Sequence, residues 1–369
     1  MVKIRGKKRI RDLLERGVDE GVFPGAVLLC ARGEEVAMAE AVGNLSIVPR
    51  YVPMKKDTIF DLASLTKPLA TTLAVMKLFD SGKIDLDHHL DDLIEGPLPE
   101  DKRDISPRLL LNHSAGFSDW KPFFRDLVSH PPGERKQILR RWIMSEPLAC
   151  EPGEKCLYSD LGFMVLEWIV EEATGIEMAR FVEENIYQAL RLERTFLASE
   201  DHLESLGRDE FAATEKCPWR NRVIQGEVHD ENAYALGGYS GHAGLFGTAE
   251  EVHRIASMLR GHYLGRSQDH FKTETVKEFF RRQDMVAWST WALGWDTPSL
   301  DGSSSGRYFS EKSVGHLGYT GTSLWMDLQK DAIVILLTNR VHPARDNEKI
   351  REFRPLLHDT VMEILGLDG

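Results

Sequence analysis

A serine and a lysine stand three positions apart in DLASLTKPLATT, residues 61–72, where an apolar helical pattern begins. Unaided, a serine hydroxyl is a weak nucleophile; it needs a neighbouring base and donors for the oxyanion that its attack creates. Lys67 lies one helical turn beyond Ser64 on the same face, roughly 5–6 Å away between Cβ atoms. Desolvation beside an apolar helix would push its amine toward the neutral, proton-accepting form. The backbone N–H of Ser64 at a helix start is a ready donor to negative charge. A serine capping a helix and a solvated lysine would give the same letters, so the pair alone does not establish chemistry.

Two further stretches supply partners. LYSDLGF sets Tyr158 and Asp160 at the start of another apolar helix, and GHLGYTGTSLWMD sets His316 and Gly318 in a predicted strand followed by a turn. With these three stretches the chain resembles the serine β-lactamase and penicillin-binding-protein-like superfamily, closest to its class C β-lactamase and esterase branch. Ser64-Leu65-Thr66-Lys67 matches the family's S-x-x-K, Tyr158-Ser159-Asp160 stands where it has Y-x-N, and His316-Leu317-Gly318 stands where it has K-T-G or H-x-G. GVFPGAVLL, LLLNHSAGF, GHAGLFGTAEEVHRIASML, ALGWD and AIVILLTNR resemble family segments too, in order, over most of residues 22–340.

The resemblance implies a role for each matched position. Ser64 would be the acylated nucleophile, Lys67 its base or base-partner, and Tyr158 a sharer in the proton traffic. The backbone N–H groups of Ser64 and Tyr319 would form the oxyanion hole, while Asp160, His316 and Gly318 would contact substrate or relay protons. No cofactor and no metal are expected.

Three departures bear on substrate. His316 replaces the family's lysine and is mostly neutral at pH 7, and Leu317 offers no hydrogen bond, so the grip on a substrate carboxylate is expected to be weak. Asp160 replaces an amide; an ionised aspartate accepts hydrogen bonds and repels an anion. Paired with Lys67 instead, it would raise the lysine's pKa and leave Tyr158 or His316 as base, with an acidic limb near the His316 pKa. These changes point away from efficient penicillin or cephalosporin hydrolysis. Of other candidates, Asn112, His113 and Ser114 read as turn or helix caps, and Trp120, Phe123 and Phe124 fit cleft or core alike. His88 and His89 read as a solvated helix start. GYSGH, residues 238–242, lacks the last glycine of a G-x-S-x-G elbow.

The elements that must hold these groups are legible in outline. Ile10, Leu13, Leu14 and Val18 give an N-terminal helix one apolar stripe. AVLLCA and EVAMAEAV, joined at Arg32–Gly33, read as a hairpin. SLTKPLATTLAVMKLFDSG reads as one buried helix with Gly82 at its C-cap. ALGWDT, SVGHLGYTG, SLWMDLQ and AIVILLTN read as successive antiparallel strands before a closing helix. The expected class is α+β: an antiparallel sheet built from both termini and flanked by helices, with a mostly helical inserted subdomain. The sheet part would span about 1–62 plus 290–369 and the helical part about 63–289 of the 369 residues.

A formal charge of −12 disfavours nucleic acid and anionic membrane surfaces as partners. Cys30, Cys150, Cys156 and Cys217 fit no zinc spacing, and no apolar run opens the chain, so a cytoplasmic protein is expected. The expected function is a serine hydrolase working through an acyl-enzyme, most simply an esterase on a small-molecule carboxylic ester. A D-amino-acid peptidase or amidase, or a weak β-lactamase, is the alternative hydrolase. A non-catalytic binding protein on the same scaffold is the alternative of another class.

Overall fold

The computed structural model describes residues 4–199 and 205–369. The apolar run AIVILLT forms strand β11 (Ala332–Thr338), buried along its whole length because both faces of the sheet are covered. It pairs antiparallel with β1 (Gly25–Arg32) on one side and β10 (Ser323–Asp327) on the other, with Leu29 and Leu324 both opposite Ile335. β2 (Glu35–Ser46) and β3 (Val52–Pro53) extend the first edge and β9 (Ser313–Leu317) the second, giving the order β3-β2-β1-β11-β10-β9. Strands from the two ends of the chain thus meet in one antiparallel sheet, and the α+β expectation holds.

Period-two alternation sorts the side chains into two layers. Ala26, Leu28, Cys30, Val334, Leu336 and Trp325 pack under helix α1 (Ile4–Asp19) and the helix Ile350–Leu365, which contribute Ile10, Leu14, Phe353 and Leu357. Val27, Leu29, Ile333, Ile335, Leu337 and Met326 face the larger core, where α2 (Thr72–Asp80) and the helices Asp160–Thr174 and Ala249–Tyr263 lie. Short strands β4 (Phe60–Asp61), β5 (Phe196–Leu197) and β8 (Leu245–Gly247) pair beside that core, and β6 (Lys216–Cys217) pairs with β7 (Arg222–Val223).

Two elements differ from their sequence reading. The helix expected from Ser64 onward begins as a tight turn, Ala63–Leu65, widens into a π-helical stretch, Lys67–Thr71, and turns α-helical only at Thr72. Pro68 supplies no N–H for a regular ladder, which accounts for the irregular opening. ALGWDT is no strand: Gly294 turns left-handed at φ 76°, and Asp296 makes only isolated bridges, to Trp291 and to Gly315 of β9. Among the described residues, no helix is long and apolar enough to cross a membrane.

Candidate active site

Ser64 follows a strained residue. Ala63 has φ 49°, a left-handed conformation costing roughly 1–3 kcal/mol outside glycine. Asp61 at the end of β4 holds it there: Oδ1 accepts the Ala63 N–H at 2.8 Å, and Oδ2 accepts the His229 N–H at 2.6 Å. Burial pushes the Asp61 carboxyl up, against these two donors. Thr66 fixes the next turn, donating to the Ala63 carbonyl at 2.6 Å and accepting from the Leu245 N–H of β8 at 2.9 Å.

The Lys67 side chain is wholly buried. Its Nζ lies 3.1 Å from Ser64 Oγ, 3.1 Å from the His242 carbonyl and 2.6 Å from Asp160 Oδ1. Two acceptors thus take hydrogen bonds from the ammonium, and the Asp160 carboxylate pairs with its charge. Burial alone would lower the lysine's pKa, but the Asp160 charge and then Tyr158 outweigh it, and the net direction is upward. The neutral resting amine expected from desolvation is therefore corrected to a charged one, and the alternative pairing with Asp160 is what the fold builds.

Tyr158 and Asp160 arrive together at the start of the Asp160–Thr174 helix, whose N-cap Ser159 accepts the Gly162 N–H at 3.1 Å. The Tyr158 ring stands 4.9 Å from Lys67 Nζ and packs on His113 at 4.5 Å and Trp291 at 5.6 Å. Enclosure raises the phenol's pKa despite the hydrogen-bonding pull of Lys67 and Ser64. His113 is buried, and its Nδ1 accepts the Ser159 N–H at 3.1 Å. It thus braces the tyrosine from behind, as a turn residue should. Phe123 and Phe124 are core, whereas Trp120 is 39% exposed and lines a cavity.

The turn after β9 is tied to the serine's own segment. Thr320 donates to the Asp61 carbonyl at 2.8 Å and Thr322 to the Leu62 carbonyl at 3.0 Å. A Cβ on Gly318 would stand 2.0 Å from Thr322 Oγ1 and 2.6 Å from the Leu62 oxygen, so only glycine allows this approach. The Tyr319 carbonyl accepts from Arg340 Nε at 2.9 Å, which orients that peptide. His316 lies behind, its Nδ1 2.8 Å from the Leu317 carbonyl and its buried Nε2 unpartnered. Burial, and then the Lys67 charge, push His316 down to about 3. An acidic limb near its ordinary pKa is therefore not expected after all.

Two cavities flank this group, and Ser64, Tyr158 and Tyr319 line both. One, of about 360 Å³, is walled by Asp160, Asp230, Glu231, His242, Arg345 and Trp120. The other, of about 350 Å³, is walled by His316, Trp291, Asp296, Arg340, Arg351 and Arg354. Cationic groups do lie beside His316, Arg351 and Arg354 from the last helix and Arg340 just past β11, together with Glu348, which pairs with Arg351 at 2.9 Å. The sequence reading missed them because arginines on a closing helix look like solvated surface. It also missed Asp230 and His242, 12 positions apart and joined at 2.9 Å; GYSGH was read only as a failed elbow. Asp160, Asp230 and His242 offer ligand atoms within 4.8 Å of one another, the one such set with metal-like spacing among the described residues. Lys67 and a protonated His242 neutralise it, since Asp230 draws the imidazole's pKa up against burial.

The Beta-lactamase family matches residues 10–358, so the chain belongs to that family and is a serine hydrolase of the β-lactamase and transpeptidase type. A protein of Escherichia coli O157:H7 named as a D-alanyl-D-alanine carboxypeptidase is 33% identical over 378 residues, covering 91% of this chain and 83% of that one. The N-acetylmuramyl-L-alanine amidase of Bacillus subtilis (strain 168) is 30% identical over 374 residues, covering 93% and 83%. Among solved structures, EstCE1, a hydrolase with promiscuous acyltransferase activity, superposes with a TM-score of 0.74 at 24% identity, covering 97% of this chain and 100% of that one. The octameric penicillin-binding protein homologue from Pyrococcus abyssi gives 0.75 at 19% identity, covering 97% and 77%.

Proposed function

We propose that Ser64 attacks the carbonyl of a carboxylic ester or amide and is acylated. The observation that carries this reading is the buried Lys67 ammonium held 3.1 Å from Ser64 Oγ and 2.6 Å from Asp160 Oδ1. The attacking hydroxyl's proton passes to the Lys67–Tyr158 couple once that couple has lost a proton. The oxyanion is received by the backbone N–H groups of Ser64 and Tyr319. As the C–O or C–N bond breaks, Tyr158 returns the proton to the leaving group. Water then attacks the acyl-enzyme by the same route in reverse and regenerates Ser64. His316, held neutral, takes part as an acceptor of hydrogen bonds through Nε2 rather than as a cation.

A second reading, favoured by Arg340, Arg351 and Arg354 in one cavity wall, makes the substrate an acyl amino acid or peptide whose leaving portion carries a carboxylate. The relatives named as a carboxypeptidase and an amidase are in keeping with it. One experiment addresses both. Turnover of 4-nitrophenyl butyrate and of an acyl-alanine is compared with that of the same acyl-alanine amide, in wild type and Ser64→Ala. Loss of all turnover in Ser64→Ala is expected, and turnover surviving there would overturn the mechanism. A preference for the free carboxylate of at least tenfold selects the second reading; equal rates select the simple esterase.

A further inference from the structure

Tyr319 is half-exposed, yet the hydrolase reading asks its N–H to stand fixed toward the cleft. Thr320 and Thr322 anchor the turn beyond it, and Arg340 holds its carbonyl. Its ring is held as well. The Arg340 guanidinium lies 4.8 Å from the ring centroid, and the His229 imidazole stacks on it at 5.7 Å with 25° between the planes.

His229 is itself tightly placed. Its side chain is 6% exposed, and its backbone N–H donates to Asp61 Oδ2 at 2.6 Å. The other oxygen of that carboxylate takes the N–H of Ala63, one residue before Ser64. One carboxylate thus ties the His229 backbone to the serine's turn. The imidazole is fixed from its far end, where Nε2 lies 3.3 Å from Oε2 of the buried Glu215. Burial would raise the Glu215 pKa, but hydrogen bonds from His229 and Arg345 hold it down at about 2. An ionised carboxylate only accepts, so Nε2 carries the proton. Arg345 sets Glu215 in turn: it donates to both carboxylate oxygens, with Nε 2.8 Å from Oε1, and also to Glu231 Oε1 at 2.7 Å.

We propose that His229 is a positioning residue of the oxyanion site. Its ring, aimed by Glu215 and Arg345, holds the Tyr319 side chain and so keeps the Tyr319 N–H where the oxyanion develops. The inference rests on the hydrolase reading for the role of that N–H, and it gives His229 no proton to transfer. Loss of the hold slows the chemical step and spares binding, because the oxyanion exists only beyond the ground state.

The test is a double-mutant cycle on 4-nitrophenyl butyrate, with kcat and KM measured for wild type, His229→Ala, Tyr319→Ala and the double variant. Tyr319→Ala keeps the peptide N–H and removes only the ring. Each single change is expected to lower kcat about tenfold or more while KM stays within about threefold. The double variant is expected within about twofold of the slower single one, since both changes break the same contact. Additive losses, an unchanged kcat in either folded single variant, or a raised KM at unchanged kcat would overturn the inference. Tyr319 reaches the surface, so its variant keeps the test open should His229→Ala fail to fold. Turnover that survives in Ser64→Ala would overturn the hydrolase reading and this inference with it. Ser64-dependent turnover with additive losses would overturn this inference alone.

Discussion

In the proposed mechanism Lys67 sets the pH at which Ser64 works. Its ammonium is stabilised chiefly by the Asp160 carboxylate, and in that state it has no lone pair to offer. Tyr158 is likewise held protonated by its enclosure. The account therefore predicts that kcat/KM climbs through the alkaline range as the couple loses one proton. Asp160→Asn removes the charge that raises the lysine's pKa, so the climb moves to lower pH in that variant. Rates measured from pH 6 to 10 check this; a climb that stays put or moves upward contradicts it. At this scale much was legible. Ser64 and Lys67 stood out by type and spacing, and Tyr158, Asp160, His316 and Gly318 through the family resemblance; the fold places Lys67 against Ser64 and the others in the walls of the two cavities that Ser64 lines. The charge state of Lys67 was not legible, because it depends on whether desolvation or an ion pair wins, and only the 2.6 Å separation decides that.

The turn at 318–322 is the element on which the geometry most depends. Its threonines fasten it to the two residues ahead of Ala63, so the Tyr319 and Ser64 peptides are located by one set of bonds. Loss of an oxyanion donor typically costs about 2.7–4 kcal/mol. Gly318→Ala puts a methyl group into Thr322 and the Leu62 carbonyl. It is expected to lower kcat on the order of 10²–10³-fold with a much smaller change in KM. A raised KM with unchanged kcat would mean that the turn binds substrate without shaping the oxyanion site. The hairpin, the sheet strands and the buried helix were readable from period and turn residues. ALGWDT misled because a bridge across a glycine turn has a strand's composition without its length. The arginine wall escaped because helix Ile350–Leu365 reads as ordinary amphipathic surface until its N-terminal turn is seen bordering the cleft.

Across the whole molecule, the sheet seats its two layers by burying polar groups as well as apolar ones. His316 and His358 are both enclosed and both held at about 3, by burial first and by Lys67 or Arg354 next. In the unfolded chain a histidine titrates near 6.5. Between about 3 and 6.5 the unfolded chain binds protons that the native one refuses, so stability falls as pH falls across that window. The slope is about 1.4 kcal/mol per pH unit for each histidine. His358→Gln, which can still donate to the Ser304 carbonyl, is expected to flatten the decline by about one histidine's share. Chemical denaturation at pH 4, 5, 6 and 7 measures it, and an unchanged slope would show that His358 charges in the native protein.

The central claim is that this cleft transfers an acyl group to one particular oxygen. Intact-mass and peptide mass spectrometry on protein quenched seconds after mixing with 4-nitrophenyl butyrate measure that directly. The account predicts one butyryl group, on the peptide that contains Ser64, absent from Ser64→Ala and longer-lived in Tyr158→Phe. An adduct on any other residue, or hydrolysis continuing in Ser64→Ala with no adduct at all, would contradict it.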